Sequence, residues 1–244
     1  MERCAIDGNL ARSSGGFKRA RTEEQKRERM AAILHAADQL LDEHAYRSIT
    51  MAMVAARLGF SRANLVHYVT TKEEIFLRLY VQDIEGLAED LATFAEARLS
   101  KAEDPSPDPR GISADDEAFA HFFAAACARR RNFGRIGALL TTIIETNVDI
   151  EVLAACKRRI YAAAGAAAGQ LARLFPFLDL DGAQELIMAA SHYVAGLYPA
   201  AHPTPAQAAA LLCSGSGDAQ QAFEPTLERF VIVQLAGYRA LHRP

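Results

Sequence analysis

The chain contains 244 residues, of which 50% are hydrophobic and 23% are charged, with only 15 glycines and 9 prolines. This composition excludes collagen-like, fibrous and low-complexity proteins, and the length is sufficient for a core that needs no disulfide or metal. Residues 1–80 hold 13 Lys and Arg against 10 Asp and Glu, whereas the rest of the chain is acidic, so the N-terminal part is the better candidate for an anionic partner.

The four cysteines, at positions 4, 127, 156 and 213, are too widely spaced to form a Cys-x-x-Cys pair. Neither a zinc site nor a disulfide framework is expected, so no metal or cofactor is predicted. The N-terminal residues lack the apolar run of a secretion signal, and no apolar run is long enough to span a membrane. These features predict a cytoplasmic protein with no membrane partner.

The chain begins with a polar stretch, residues 1–17, that is predicted to be a disordered arm because it has Ser and Gly but no apolar period. A first helix follows. Thr22 and Gln25 are spaced as a capping box at its start, and apolar residues recur at helical spacing through residues 30–41. We expect this helix to end near His44.

Three further helix starts follow at short intervals. Thr50 is placed to cap a short second helix, which ends at Gly59, where a left-handed residue is expected. Ser61 is placed to cap a third helix. Thr71 and Glu74 have the spacing of another capping box and open a long fourth helix.

The remainder of the chain also shows helical periodicity. Three prolines within residues 103–111 predict a surface connection, and residues 202–214, which contain two prolines, are expected to hold a short turn of helix. No segment alternates as a strand does, so the fold class is all-α with about nine helices. The later helices are predicted around Phe119–Ala126 and at residues 133–145, 150–175, 183–198 and 225–242.

The second and third helices predict a helix-turn-helix, in which the third helix enters the major groove of DNA. Their apolar residues are expected to pack against the first helix, leaving the opposite face of the third helix for DNA. The expected inward residues are Val54, Ala55, Leu58 and Leu65. The expected outward residues are Arg62, Ala63, Val66 and His67.

Each candidate DNA contact has a chemical reason. Arg62 can form two hydrogen bonds with guanine, at O6 and N7, and Asn64 can form two with adenine, at N6 and N7. The methyl groups of Ala63 or Val66 can contact a thymine methyl group. Hydroxyl, imidazole and ammonium groups suit phosphate oxygens instead. The predicted phosphate contacts are Thr50, Ser61, His67, Tyr68 and Lys72, with Lys18, Arg19 and Arg21 as further basic candidates.

The sequence from Thr50 to Phe76 reads TMAMVAARLGFSRANLVHYVTTKEEIF. It resembles the three-helix DNA-binding domain of the TetR family of transcriptional regulators, and the resemblance extends over roughly residues 20–80. The turn around Gly59 and the KEEIF segment carry it. Val66 and Val69 depart from the family pattern, which often has Tyr and Phe there, and Val66 loses a phenolic contact to DNA.

The resemblance implies a DNA-binding domain at residues 18–70 and a larger helical ligand-binding and dimerisation domain at residues 71–244. It implies that the helices at 183–198 and 225–242 pair with those of a second copy. Such a homodimer would place its recognition helices on two half-sites of a palindromic double-stranded operator. The expected function is that of a repressor released from its operator by a small-molecule effector.

The resemblance also suggests which residues line the effector pocket. They are Phe119, Phe122, Phe123, Thr141, Thr142, Glu145, Tyr161, Met188, His192 and Tyr193. Two alternatives stay open: a dimeric DNA-binding protein without an effector, and a helical enzyme or small-molecule carrier. Because no Gly-rich phosphate loop, His-Glu-x-x-His or Gly-x-Ser-x-Gly motif occurs, no enzyme activity and no catalytic residue are predicted.

Overall fold

The computed structural model describes residues 23–100, 112–216 and 221–241, and all regular structure in these ranges is helical. The all-α prediction is confirmed. The α-helices are α1 (Glu23–Glu43), α2 (Met51–Arg57), α3 (Arg62–Val66), α4 (Lys72–Leu99), α5 (Ala114–Arg129), α6 (Phe133–Gly137), α7 (Ile150–Leu174), α8 (Leu180–Ala201), α9 (Pro205–Cys213) and α10 (Phe223–Leu241). Outside the described residues lie the predicted arm at 1–17, the prolines at 103–111, and Lys18, Arg19, Arg21 and Thr22.

Helices α1 to α3 form a compact unit that is closed by caps predicted from the sequence. The hydroxyl of Thr50 accepts a hydrogen bond from the amide of Met53, and that of Ser61 accepts one from Asn64. Gly59 has a φ of +68°, in the left-handed region that disfavours other residues. These local signals fix the angle between α2 and α3.

The predicted inward face of the unit is also confirmed. Val54, Ala55 and Leu65 are buried, and Leu58 is half-buried against the same core. They pack with α1, whose Ile33 is fully buried. The apolar side of α3 is therefore occupied, which leaves its other side free.

The predicted capping box at the start of α4 is only half formed. The hydroxyl of Thr71 accepts from the amide of Glu74, as expected. The Glu74 carboxylate does not return to Thr71; it accepts from the amide of Thr70 at 2.9 Å and from Arg78 at 2.8 Å. Because this carboxylate is buried and bonded on both sides, it holds the connection between α3 and α4.

Helix α4 is shared by the two halves of the molecule. Its N-terminal part packs against α1, and the rest packs against α5, α6 and, most extensively, α7. Helices α7 and α8 pack together, and α10 packs against α5 and α8. The arrangement encloses a second core, which includes Phe119, Leu171 and Leu186. No helix in the described ranges is long and apolar enough to cross a bilayer.

The single helix predicted at residues 133–145 is wrong. Helix α6 ends at Gly137 and is followed by a π-helical segment, Leu140–Ile144, and a 3-10 turn, Glu145–Asn147. Residues 141–144 are Thr-Thr-Ile-Ile, four β-branched side chains in succession, which restrict χ1 and disfavour a regular α-helix. We call residues 138–149 the α6–α7 connector. Asp149, the last residue of this connector, caps the N-terminus of α7 by accepting hydrogen bonds from the amides of Glu151 and Val152.

The segment at 202–214 holds more helix than expected. Pro205 occupies the first turn of α9, where its missing amide costs no hydrogen bond. Thr204 and Gln207 form a complete capping box in front of it. The prolines therefore begin this helix rather than interrupt it.

Candidate functional site

The candidate DNA-binding surface is the exposed side of α3. Arg62, Ala63, Val66 and His67 are all exposed, and the side chain of Val66 remains 45% accessible. Leu65 points into the core on the opposite side. The structure thus places the four predicted outward residues together on one accessible face, while Asn64 lies at its edge and is half-buried.

Two predicted phosphate contacts, Thr50 and Ser61, already act as helix caps. Each hydroxyl accepts one backbone amide, at 3.3 Å for Thr50 and 3.1 Å for Ser61. A hydroxyl that accepts one hydrogen bond still has its own proton to donate, and both side chains are exposed. The caps therefore orient the two hydroxyls without using up the proton that a phosphate oxygen would accept.

Lys72, another predicted phosphate contact, is largely engaged within the protein. Its Nζ donates to the carbonyl oxygens of Tyr46 and Ile49, at 3.1 and 3.0 Å, and lies 4.5 Å from the centre of the Tyr46 ring. The Tyr46 hydroxyl donates to Glu73. Burial, assisted by the negative charge of Glu73, raises the pKa of Tyr46. An ammonium has three donors, so one remains for a phosphate.

The remaining predicted phosphate contacts lie where α3 ends. His67 is exposed and is the last residue of the α3 turn. Tyr68 is half-buried against the core. The predicted phosphate contacts thus lie at the starts of α2, α3 and α4 and at the end of α3, and they differ in exposure.

Polar contacts that the sequence did not predict join the DNA-binding unit to the rest of the chain. Asn132, between α5 and α6, donates to Asp38 Oδ1 of α1 at 2.7 Å. Arg135 of α6 donates to the carbonyl oxygens of Leu41 and His44, and so satisfies the C-terminal end of α1. These pairs are about 90 residues apart in sequence, so no local spacing could have shown them.

A cavity of about 410 Å³ lies between α4, α5, α6, α7 and α8. This volume is within the usual range for small-molecule pockets. Most of its wall is apolar and aromatic, including Phe119, Phe122 and Phe123 of α5 and Phe133 of α6. Phe119 also contacts Phe175 edge-on, which braces this part of the wall.

The cavity brings together most of the residues predicted for the effector pocket. Those on its wall are Phe119, Phe122, Phe123, Thr141, Tyr161, Met188 and His192. Thr142, Glu145 and Tyr193 do not line it. Thr142 is exposed, Glu145 pairs with Lys157, and Tyr193 stacks on Phe230 with ring centroids 3.9 Å apart.

Three polar residues on the cavity wall were not predicted. Lys157 lies 2.6 Å from Glu145 Oε1, and Ser191 donates to the carbonyl of Ile187. Tyr80 stacks on Phe133 and is buried. These residues fall within apolar helical stretches, where the sequence alone does not distinguish a cavity from a solid core.

The exposed sides of α8 and α10 form a second accessible surface. Met188, His192 and Gly196 recur every four residues on α8, and Val233 and Gly237 do so on α10. Val233 is 57% exposed and Met188 is 37% exposed. An apolar helical face of this kind fits pairing with another helical surface.

Two family descriptions match the sequence. Residues 33–79 match bacterial regulatory proteins of the tetR family, and residues 81–242 match the tetracyclin repressor-like C-terminal domain. The second match alone covers more than half of the chain.

The chain belongs to the TetR family. It is therefore a DNA-binding transcriptional regulator, with a helix-turn-helix domain followed by a helical C-terminal domain. The resemblance noted from Thr50 to Phe76 is confirmed. The family places this chain among regulators that bind operators and dimerise, with a C-terminal domain that binds ligands.

Two solved structures are similar to this TetR-family chain at low identity. The fatty acid degradation regulator FadR from Bacillus halodurans is 15% identical, with a TM-score of 0.48, over 91% of this chain and 97% of its own. A TetR family transcriptional regulator from Chloroflexus aurantiacus J-10-FL is 16% identical, with a TM-score of 0.37, over 90% and 94% of the two chains. No curated protein matches the sequence significantly.

Proposed function

We propose that this TetR-family regulator is a cytoplasmic, homodimeric repressor that binds a palindromic operator and leaves it when a small molecule fills the cavity. Residues 18–70 would form the DNA-binding domain, and residues 71–244 the effector and dimerisation domain. The observation that supports the proposal best is the course of α4. This helix begins directly after the α3 turn, and its Ile84, Leu87 and Leu91 line the cavity.

The DNA side of the proposal depends on the accessible face of α3. Arg62 provides the planar fork that bonds guanine, and Val66 provides apolar contact for a thymine methyl. Thr50 and Ser61 add hydroxyls at the flanking helix starts, where amides also attract phosphate. We therefore assign base recognition to α3 and phosphate contact to the residues around it.

The dimer side depends on α8 and α10. Pairing of their exposed faces around a two-fold axis would make a four-helix bundle. Met188 and His192 lie both on this face and on the cavity wall. A molecule bound in the cavity would therefore contact residues of the dimer interface as well as residues of α4.

Release by an effector requires that it bind the non-DNA-binding arrangement more tightly. A preference of roughly 1–3 kcal/mol would weaken operator binding by roughly 5- to 150-fold, and the operator would weaken effector binding equally. The cavity argues against a DNA-binding protein without an effector, because a purely architectural rear domain would be filled by side chains.

The test is selection of bound duplexes from a random DNA pool, followed by fluorescence anisotropy and analytical ultracentrifugation on the selected duplex. We expect a palindrome with half-sites about one helical turn apart, bound by a dimer. Arg62→Ala should bind the selected duplex more weakly by roughly 1–3 kcal/mol per half-site, with a much smaller loss on random DNA. Enrichment of no sequence by the wild-type chain would reject the proposal.

A further inference from the structure

We propose that the cavity binds a small amphiphilic monoanion, which has a carboxylate on an apolar body. Lys157 would leave its ion pair with Glu145 and pair with the carboxylate of the ligand instead. This inference rests on the proposed function, because it names the chemistry of the effector. It also assigns Lys157 as the residue that selects it.

Among the described residues, formal charge on the cavity wall is confined to one position. Among the described residues that line the cavity, Lys157 is the only Lys, Arg, Asp or Glu. The aromatic wall formed by Phe119, Phe122 and Phe123 favours an apolar body. A ligand that fills this space therefore meets hydrocarbon over most of its surface and one ammonium group.

The positions of Lys157 and Glu145 relative to the cavity predict the charge of the ligand. Lys157 faces the cavity, whereas Glu145 does not line it and its Oε1 is fully buried. Lys157 Nζ and Glu145 Oε1 are 2.6 Å apart and form an ion pair, although their angles are not those of a hydrogen bond. A cationic ligand would approach the ammonium first and be repelled, whereas an anion would be attracted to the same group.

Tyr80 provides a second donor for an anion. Its side chain lines the cavity and the residue is only 6% exposed. Burial raises the pKa of Tyr80, with smaller contributions from negative groups that include Glu145, so the phenol stays protonated. The hydroxyl therefore has a proton that a carboxylate oxygen in the cavity would accept as a hydrogen bond.

A series of contacts connects the Lys157–Glu145 ion pair to the DNA-binding unit. Glu145 begins the 3-10 turn that ends at Asn147. The Asn147 carbonyl accepts a hydrogen bond from the hydroxyl of Thr71, at 3.3 Å, and Thr71 caps α4 directly after α3. Withdrawal of Lys157 would leave the largely buried Glu145 carboxylate without its ion-pair partner, which favours movement of the turn that contacts Thr71.

The experiment compares decanoate with 1-decanol by isothermal titration calorimetry on the full chain. The two probes differ in charge but carry the same apolar chain. We expect decanoate to bind roughly 10- to 100-fold more tightly, the range of a hydrogen bond to a charged group. The pair 2-naphthoate and 2-naphthalenemethanol, titrated in parallel, tests the same preference on a ring-shaped body.

Lys157→Met should remove the preference for the carboxylate while leaving alcohol binding within about two-fold. Arg158→Met is the matched control, because Arg158 is the next residue of α7, is exposed and does not line the cavity. It should keep the full preference. Glu145→Gln removes the competing carboxylate, so it should bind decanoate at least as tightly as the wild type but no longer release the operator in response.

Equal binding of each carboxylate and its alcohol by the wild-type chain would overturn the inference, as would a preference that survives in Lys157→Met. The wild-type comparison needs no variant, so it holds even if a variant fails to fold. Operator binding is measured separately on the unliganded chain. A chain that binds its operator but shows no carboxylate preference defeats this inference alone, whereas a chain that binds no DNA defeats the proposed function.

Discussion

The side-chain amide nitrogen of Asn132, Nδ2, donates a hydrogen bond to the carboxylate of Asp38 at 2.7 Å. This bond joins the α5–α6 turn to α1 of the DNA-binding unit. Asn132 is only 5% exposed, so this is a buried polar contact between distant parts of the chain. Arg135 adds bonds to the end of the same helix. The DNA-binding unit is thus held to the cavity-forming helices by α6 as well as by the continuous α4.

Asn132→Ala tests how much this contact contributes. It leaves Asp38 without its buried donor, so we expect the free energy of unfolding to fall by about 1–3 kcal/mol. Urea denaturation followed by circular dichroism measures it. The control is Arg131→Ala, since Arg131 is mostly exposed and its 3.5 Å pair with Asp42 should contribute less than about 1 kcal/mol. Equal effects of the two variants would contradict a special role for Asn132.

Arg62→Ala tests base recognition. If the guanidinium makes two bonds to guanine, the variant should lose about 1–3 kcal/mol per half-site on the preferred palindrome and much less on random duplex. Fluorescence anisotropy on the two duplexes at one salt concentration measures the difference. Arg47→Ala, which removes the same charge from an exposed position before α2, should weaken both duplexes alike. Equal losses for Arg62→Ala would make Arg62 a phosphate contact.

Lys72→Met tests two roles of one ammonium. Two carbonyl oxygens and the Tyr46 ring lose their partner, so we expect the free energy of unfolding to fall by about 1–3 kcal/mol. If the remaining proton contacts phosphate, the slope of log K against log salt should also fall by about 1. Lys26→Met, on the exposed side of α1, is the control for lost charge. A stability loss with an unchanged slope would leave Lys72 with a structural role alone.

The sequence was most informative where structure depends on neighbouring residues. The caps at Thr50 and Ser61, the left-handed Gly59 and the outward face of α3 all follow from spacing within a few residues. The α6–α7 connector was not predicted, because the apolar periodicity of this segment indicated a regular helix although four successive β-branched residues disfavour one. Lys157 was missed for a different reason. Its role depends on which helices enclose a cavity, and that is a property of packing between distant segments.

The carboxyl group of Asp83 makes stability dependent on pH. This residue lies on α4, where burial raises the pKa of its carboxyl to about 6, a change that Arg130 opposes and Asp38 reinforces. The unfolded chain loses this proton near pH 4. Between about pH 4 and 6 the folded state therefore binds more protons than the unfolded state, so the free energy of unfolding falls as pH rises through this window.

Asp83→Asn removes this dependence because its amide stays neutral. We expect the variant to match the wild type at pH 4 and to exceed it by about 1–3 kcal/mol at pH 7.5, as measured by urea denaturation at both values. Asp90→Asn is the contrasting control: Asp90 pairs with Arg130 at 2.9 Å, so its loss should lower stability at pH 7.5. A wild-type chain that is as stable at pH 7.5 as Asp83→Asn would show that the folded and unfolded states hold this proton equally. In that case Arg130 would have to offset the burial of Asp83 in full.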